Sequence, residues 1–458
     1  MVSWFALDYA GLSRGEFPEY VFCEVMRMKS RSLVIFAICM AFALAACGGG
    51  GGGGGGMIGT APTISDLQYS PRAEYVSTTS TTFGGSFFFS DPDGDLSSVT
   101  LIIADSSGAT ISTTTESIQG AAGLTSGTIG GSVSSSLPVA DNYTLQVFVT
   151  DAEGLQSNVL SGSVRIAQFP WTSKQASSIA REYAAVAVLN GRLYVVGGQR
   201  TDAGIIPGPV TSVMEVYDPQ TNTWDTAPSM PTARMGLVAA AVDGRLYAIG
   251  GSIDGFGTDT GTVEEFDPVS QAWTPRASMT TPRYFAAGAQ VGGRIFVTGG
   301  RQFGGQTALN VAEVYDPATN SWSSVSPLPT ARSELAAAES NGRLYVAGGY
   351  AGLLLQWIGI LEAYDPTNNT WSPHNSMPTA RSHLALVAVN GKVLAAGGEN
   401  VNRSLDILES FDTSANAWSV KTPSPIGFTR ASAGVVNGKM YVLGNGFALE
   451  YDPANEIR

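Results

Sequence analysis

Six tryptophans, Trp171, Trp224, Trp273, Trp322, Trp371 and Trp418, stand 53, 49, 49, 49 and 47 residues apart, and 26 residues after each comes a glycine pair or its remnant. The pairs are Gly197-Gly198, Gly250-Gly251, Gly299-Gly300, Gly348-Gly349 and Gly397-Gly398, with Gly444-Asn445 a decayed sixth. A fixed period of this length means one supersecondary unit repeated along the chain, each copy burying its apolar face against the next. Seven residues before each pair lies a two-residue turn: Asn190-Gly191, Asp243-Gly244, Gly292-Gly293, Asn341-Gly342, Asn390-Gly391 and Asn437-Gly438. All six suit type I′ hairpins, in which both residues need positive φ. Six residues before five of the tryptophans an Asp follows an aromatic, as in Tyr217-Asp218-Pro219 and Phe411-Asp412-Thr413, and opens a further tight turn. Each unit therefore reads as four antiparallel strands: a small-residue strand such as Gly236 to Val242, a strand ending in Gly-Gly, a strand ending in the aromatic, and the Trp strand.

This pattern resembles the kelch motif. The resemblance implies an all-β chain whose residues 168–458 form a six-bladed kelch β-propeller. Only small side chains fit nearest the axis, Trp and Tyr fill the space between blades, and the glycines are expected to let a neighbour's bulky ring approach the backbone. Tyr451-Asp452-Pro453 has no Trp after it, and Trp171 has no Tyr-Asp-Pro before it. The two ends are complementary, so the last blade is expected to take three strands from the C-terminus and its outermost from Phe169-Pro170-Trp171.

Alternating strand connections put the uniform Asn-Gly and Asp-Pro turns on one face and the variable loops after Gly-Gly on the other, where ligand contacts are expected. Arg181, Arg234, Arg283, Arg332, Arg381 and Arg430 lie at the start of the innermost strands on that loop face. In ligand-binding kelch propellers, arginines matching this position line a central pocket, so the resemblance makes them anion-binding candidates. A residue repeated in every blade equally serves what every blade shares, and hydrogen bonds between loops and neighbouring blades are the simpler reading. The symmetry breaks two residues later, at Tyr183, Gly236, Phe285, Glu334, His383 and Ser432, and after Gly-Gly, at Gln199, Ser252, Arg301, Tyr350 and Glu399. Trp357 is the one tryptophan after Cys47 outside the repeat; with Phe256 and Phe303 on comparable loops it can anchor a sugar face or a protein, or pack back on its own blade.

The N-terminal region has a different composition. Met28-Lys29-Ser30-Arg31 precedes a 14-residue apolar run, Leu33 to Ala46, too short for a membrane span and ending in Leu44-Ala45-Ala46-Cys47. This resembles a bacterial lipoprotein signal, which implies that residues 1–46 are extension and signal peptide, that Cys47 carries the lipid, and that Gly48 after it directs the chain to the outer membrane. Residues 47–59 then form a linker in which nine glycines, Gly48 to Gly56, span roughly 15 to 18 Å as a coil. Cys23, Cys39 and Cys47 are the three cysteines, so everything after Cys47 lacks disulfides and thiolate metal sites.

Residues 60–167 carry short alternating runs such as Tyr143-Thr144-Leu145-Gln146-Val147-Phe148-Val149 between Asp- and Gly-rich turns, which predicts a small β-sandwich. It is similar to bacterial immunoglobulin-like or cadherin-like modules. Asp91, Asp93 and Asp95 are weak Ca²⁺ candidates, since the glycine falls at the fourth position and not the sixth, and an Asp-rich turn explains them.

With 25 basic against 38 acidic residues, the net charge of −13 argues against nucleic acid or anionic lipid as a nonspecific partner. The propeller has no cysteine and its histidines are His374 and His383, which excludes the copper chemistry of galactose oxidase, a kelch-fold enzyme. No cofactor is expected. The reading is a binding module of the cell envelope, facing periplasm or exterior, held by a lipid anchor and presenting a protein or glycan ligand with its variable loops. The alternative is a sugar mutarotase of the sialic acid mutarotase type, whose proton transfers need carboxylates and arginines such as Glu334, Glu399 and Arg332.

Overall fold

The computed structural model describes residues 59–76, 80–137, 139–202, 207–255, 257–303, 308–351, 356–401 and 403–457. The apolar run read as a signal peptide, Cys47, the glycine tract and Phe256 lie outside the described residues.

The first unit is a two-sheet sandwich. Its strands are β1 (Thr63–Ser70), β2 (Ala73–Tyr75), β3 (Thr81–Ser90), β4 (Leu96–Ala104), β5 (Thr110–Ser117), β6 (Ser126–Ser135), β7 (Asp141–Asp151) and β8 (Leu160–Ala167). One sheet has the order β1-β3-β6, the other β2-β8-β7-β4-β5, with β2 parallel to β8 and the remaining pairs antiparallel. Period-2 alternation makes the core: Phe83, Phe87, Phe89 and Ile129 of the first sheet meet Val99, Ile103, Leu145, Val147 and Val149 of the second.

From Trp171 onward the chain builds six four-stranded antiparallel sheets. The first runs Ala185–Leu189, Arg192–Val196, Met214–Asp218 and Thr223–Ala227 from the inside outward. Every Asn-Gly, Asp-Gly or Gly-Gly turn has both residues at positive φ, from 49° to 53° at the Asn and Asp positions, as a type I′ hairpin demands. The innermost strand of the first sheet, Ala185–Leu189, touches both Val238–Val242 and Ser432–Val436, so the sheets close into a ring.

The tryptophans staple each sheet to the one before. The indole N–H groups of Trp224, Trp273, Trp322, Trp371 and Trp418 donate to the carbonyls of Gln175, Pro228, Ala277, Ser326 and Asn375 at 2.7–2.8 Å. Each ring also packs 5.1–5.3 Å from the aromatic that ends the neighbouring strand of its own sheet, as Tyr217 does for Trp224.

The seam repeats this arrangement between the two ends of the propeller. The sixth sheet has the order Ser432–Val436, Lys439–Gly444, Phe447–Tyr451 and then β9 (Trp171–Ser173). Trp171 pairs with Tyr451 in register, their rings 5.0 Å apart, and its indole donates to Thr422 O at 2.9 Å. The sandwich docks on this seam: Tyr75 packs edge-on against Phe169 and bonds Thr422, while Arg165 donates to Ala454 O and Glu456 O. Glu456 in turn accepts from Thr422 and Tyr451.

One expectation needs correcting. What approaches the Gly-Gly pairs is mainly backbone: a Cβ on Gly348 would lie 2.6 Å from Arg381 O of the next sheet, and Gly349 N–H donates to that same carbonyl at 2.9 Å. Among the five intact pairs a ring fills the space at Gly397, where Phe428 lies, and at the decayed sixth Phe447 does so over Gly444.

Trp171→Ala removes a buried ring, its staple and the packing on Tyr451, a loss of about 3–5 kcal/mol. Thermal unfolding is expected to shift down by roughly 10 °C, and deletion of residues 169–174 by more; an unchanged transition in the deletion would refute closure through β9.

Candidate functional site

Five of the six arginines are scaffold. Arg181, Arg234, Arg283, Arg332 and Arg381 are buried and pair with Glu215, Glu264, Glu313, Glu362 and Glu409 of their own sheets at 2.5–2.7 Å. Each also donates to a backbone carbonyl 14 residues on, from Val195 O to Ala395 O. Burial pushes these guanidinium groups down from their ordinary value and the facing glutamates oppose it. With Arg332 fully enclosed, it faces no ligand, and neither do the other four.

Arg430 is not the sixth member of that set. The backbone bond that Arg381 O accepts from Gly349 is made in the sixth unit by Phe428 O with Gly398, at 2.8 Å. Phe428 therefore stands in the arginine's place, and Leu449, two residues before Tyr451, stands where the glutamate would be. An ion pair and an apolar pair fill equivalent buried positions, a substitution that costs little when both partners change together.

Arg430 belongs instead to a belt with Tyr183, Gly236, Phe285, Glu334 and His383, and Ser432 lies outside it. All six have left-handed backbone, φ 51–61°. Each amide donates to the preceding member's carbonyl, and Tyr183 N donates back to Arg430 O, closing a ring of six bonds of 2.9–3.2 Å. Side chains of the belt converge on the axis. Tyr183, Phe285 and His383 occupy alternate positions and pack on one another at 4.9–5.4 Å, and Gly236 provides the space into which Phe285 leans. Beneath the rings is a cavity of about 170 Å³ walled by small residues such as Ala184, Ala239, Gly288 and Ala337.

Around the rings runs a chain of charges. Arg301 pairs with Glu334 at 3.2 Å; His383 Nδ1 lies 3.5 Å from Glu334 and 3.2 Å from Glu399; Arg430 reaches Glu399 at 3.5 Å and Glu182 at 3.0 Å. The hydrogen bond with His383 holds the Glu399 carboxyl below its usual range. Burial pushes the Tyr183 hydroxyl up, so it stays protonated. Arg430 and Arg301 also lie over aromatic faces, Tyr183 at 5.3 Å and Phe285 at 5.2 Å.

Sequence reasoning thus found Glu334, His383, Arg301 and Glu399, and missed Glu182. The signal was there: the residue after each arginine position varies from unit to unit, through Glu182, Met235, Tyr284, Ser333, Ser382 and Thr429. Trp357 pairs with Tyr350 in a two-residue ladder, half-buried and edge-on to its ring at 5.4 Å, so it packs on its own loop. Phe303, by contrast, is 58% exposed on the loop face, where Ile253 and Val401 are exposed as well. In the sandwich, Asp91, Asp93 and Asp95 do not converge: Asp91 caps its turn by accepting from Asp95 N, Asp93 accepts from Thr60 N, and Asp95 faces Asp151 and Glu153.

Sheets stapled Trp to carbonyl and closed by one axial ring of backbone bonds define a β-propeller assembled from sequence repeats. Those repeats are kelch repeats: the KLHDC2/KLHL20/DRC7 Kelch-repeats domain matches residues 276–445, and the Kelch motif matches residues 180–231 and 233–280. Similar proteins include the F-box/kelch-repeat protein At1g67480 of Arabidopsis thaliana, 41% identical over 18% of this chain and 20% of its own length. Kelch-like protein 33 of Homo sapiens is 32% identical over 21% of this chain and 17% of its own, and Alpha-scruin of Limulus polyphemus 37% over 18% and 8%. The chain spans a fifth or less of the length of these relatives. The solved structure of YjhT is 18% identical and covers 62% of this chain and 95% of its own at a TM-score of 0.47.

Arg381→Ala leaves Glu409 buried and unpaired, so the denaturant midpoint is expected to fall by the equivalent of about 3–5 kcal/mol, whereas Arg430→Ala costs under about 1 kcal/mol. The double change Arg381→Phe with Glu409→Leu, which copies Phe428 and Leu449, is expected to recover most of the first loss; no recovery would contradict the equivalence of the two pairs.

Proposed function

We propose that this chain is an exported, lipid-anchored binding module that docks a protein partner on the loop face of its propeller. The observation that carries the reading is the closure of the axis on that face by Tyr183, Phe285 and His383. A cavity of about 170 Å³ beneath them falls well below the roughly 300–1,000 Å³ of small-ligand pockets. A partner therefore meets a broad surface, where the apolar Ile253, Phe303 and Val401 on the loops accompany a partly buried charge chain from Arg301 to Glu182. Apolar anchors beside partly buried arginines are the composition of protein-binding hot spots, and kelch repeats commonly serve as protein-interaction modules.

The mutarotase alternative loses one of its three groups, since Arg332 is enclosed with Glu362. Glu334 and Glu399 remain as a pair flanking His383. The signal ending at Cys47 and the nine glycines after it support export and tethering of the module at a membrane surface.

Affinity capture from envelope and extracellular fractions tests the docking face. Phe303→Ser with Val401→Ser is expected to weaken the captured partner at least about tenfold, while Val269→Ser with Val420→Ser, exposed away from the loop face, leaves it unchanged. Equal capture by both double variants, or accelerated anomer interconversion of N-acetylneuraminate by NMR, would overturn the reading. Cys47→Ala is expected to move the protein from the membrane to the soluble fraction.

A further inference from the structure

At the end of the sandwich remote from the propeller two turns face each other. Asp91-Pro92-Asp93-Gly94-Asp95 joins β3 to β4, and Ala152-Glu153-Gly154 follows Asp151 at the end of β7. Ala152 N donates to Asp95 O at 3.1 Å, which holds the turns together. One carboxylate oxygen from each of Asp95, Asp151 and Glu153 lies within 4.8 Å of the others. Among the described residues, no ion pair involves any of these groups, nor Asp91 or Asp93.

A second observation comes from the buried oxygens. Asp151 is 3% exposed; its Oδ1 accepts from Leu155 N at 2.7 Å, but its Oδ2 is buried without a donor. Asp95 Oδ1 is likewise buried without a donor, and so is Oδ1 of the wholly buried Asp91, outside the triad. Carboxylate oxygens withdrawn from water and left facing one another are strongly unfavourable unless a cation joins them.

We propose that Asp95, Asp151 and Glu153 bind one Ca²⁺. The donors are all oxygen, which selects a hard cation. Ca²⁺ accepts irregular sets of protein oxygens, whereas Mg²⁺ demands near-ideal octahedral geometry and holds on to its waters, so three carboxylates converging from two turns favour Ca²⁺. Its place gives it a task. Thr60 N donates to Asp93, and Gly59 lies beside the Glu153 side chain, so the ion clamps the point where the chain enters the sandwich from the glycine tract.

Calorimetric titration of the metal-stripped full chain is expected to show one Ca²⁺ per chain with half-saturation on the order of 0.1–1 mM, and Mg²⁺ at least about tenfold weaker. Calcium is expected to raise the thermal transition by a few degrees. Glu153→Gln changes an exposed side chain, leaves the fold intact and is expected to weaken binding about tenfold or more; Glu116→Gln, on β5, leaves it unchanged. No saturable binding by the unaltered chain up to about 10 mM Ca²⁺ would overturn the proposal in favour of a proton shared between Glu153 and Asp95. Undiminished binding by both Glu153→Gln and Asp95→Asn would overturn it as well.

Discussion

The axial ring of six backbone hydrogen bonds is the constraint from which the propeller follows. Closing it requires left-handed φ at Tyr183, Gly236, Phe285, Glu334, His383 and Arg430, a conformation that costs a residue with a Cβ about 1 kcal/mol or more. Five such residues accept the strain because the alternative is a set of amides and carbonyls near the axis with nothing to bond. Once the ring is made, the innermost strands are held at one distance, which is why their residues lining the axis are Ala, Gly, Ser and Val, with Leu386 the exception. The same ring turns five side chains toward the axis, with Gly236 leaving the sixth place open. Symmetric backbone thus creates a site whose chemistry is free to be asymmetric.

Further out, the sheets solve one packing problem in two ways. Five enclose an Arg–Glu pair bonded to carbonyls of their own sheet; the sixth encloses Phe428 and Leu449. The paired charges contribute geometry more than net stability, because desolvation consumes most of the Coulombic gain. What they do is fix the carbonyl to which the preceding sheet's Gly-Gly amide bonds, as Arg381 O does for Gly349. In the sixth sheet Phe428 holds the same carbonyl by filling the void over Gly397 with its ring.

Much of this was legible in the sequence because turns and staples depend on residue type. Asn-Gly needs its own φ, Trp needs a partner for its N–H, and both recur at fixed spacing. The arginine series misled at its last member for a physical reason: Arg and Glu had been replaced together, and Arg430, two residues late, looked like the missing copy. The belt's positions were marked by their variation, but its left-handed backbone was not, since Tyr, Phe, Glu and Arg carry no preference for it and His only a modest one; bonds between units, invisible in one dimension, put them there. Trp357, without a repeat position, could equally anchor a ligand or pack back, and the partner that decides it, Tyr350, comes from a two-residue ladder too short to read. Asp95 was noticed, but Asp151 and Glu153, more than fifty residues away, reach it only through the pairing of β4 with β7.

The seam between Trp171 and Tyr451 has a consequence in time. The strand that completes the propeller is the first part of it to leave the ribosome, and its partner is nearly the last. Through synthesis, and through passage across any membrane, Trp171 has no sheet to join, while each new unit exposes an edge until the next arrives. The sandwich, finished earlier and packed through Tyr75 on Phe169 beside that strand, holds it in place and presents Tyr75 and Arg165 to Thr422, Ala454 and Glu456 when the chain returns. A fold whose slowest contact spans its whole length is thereby given a fixed starting post.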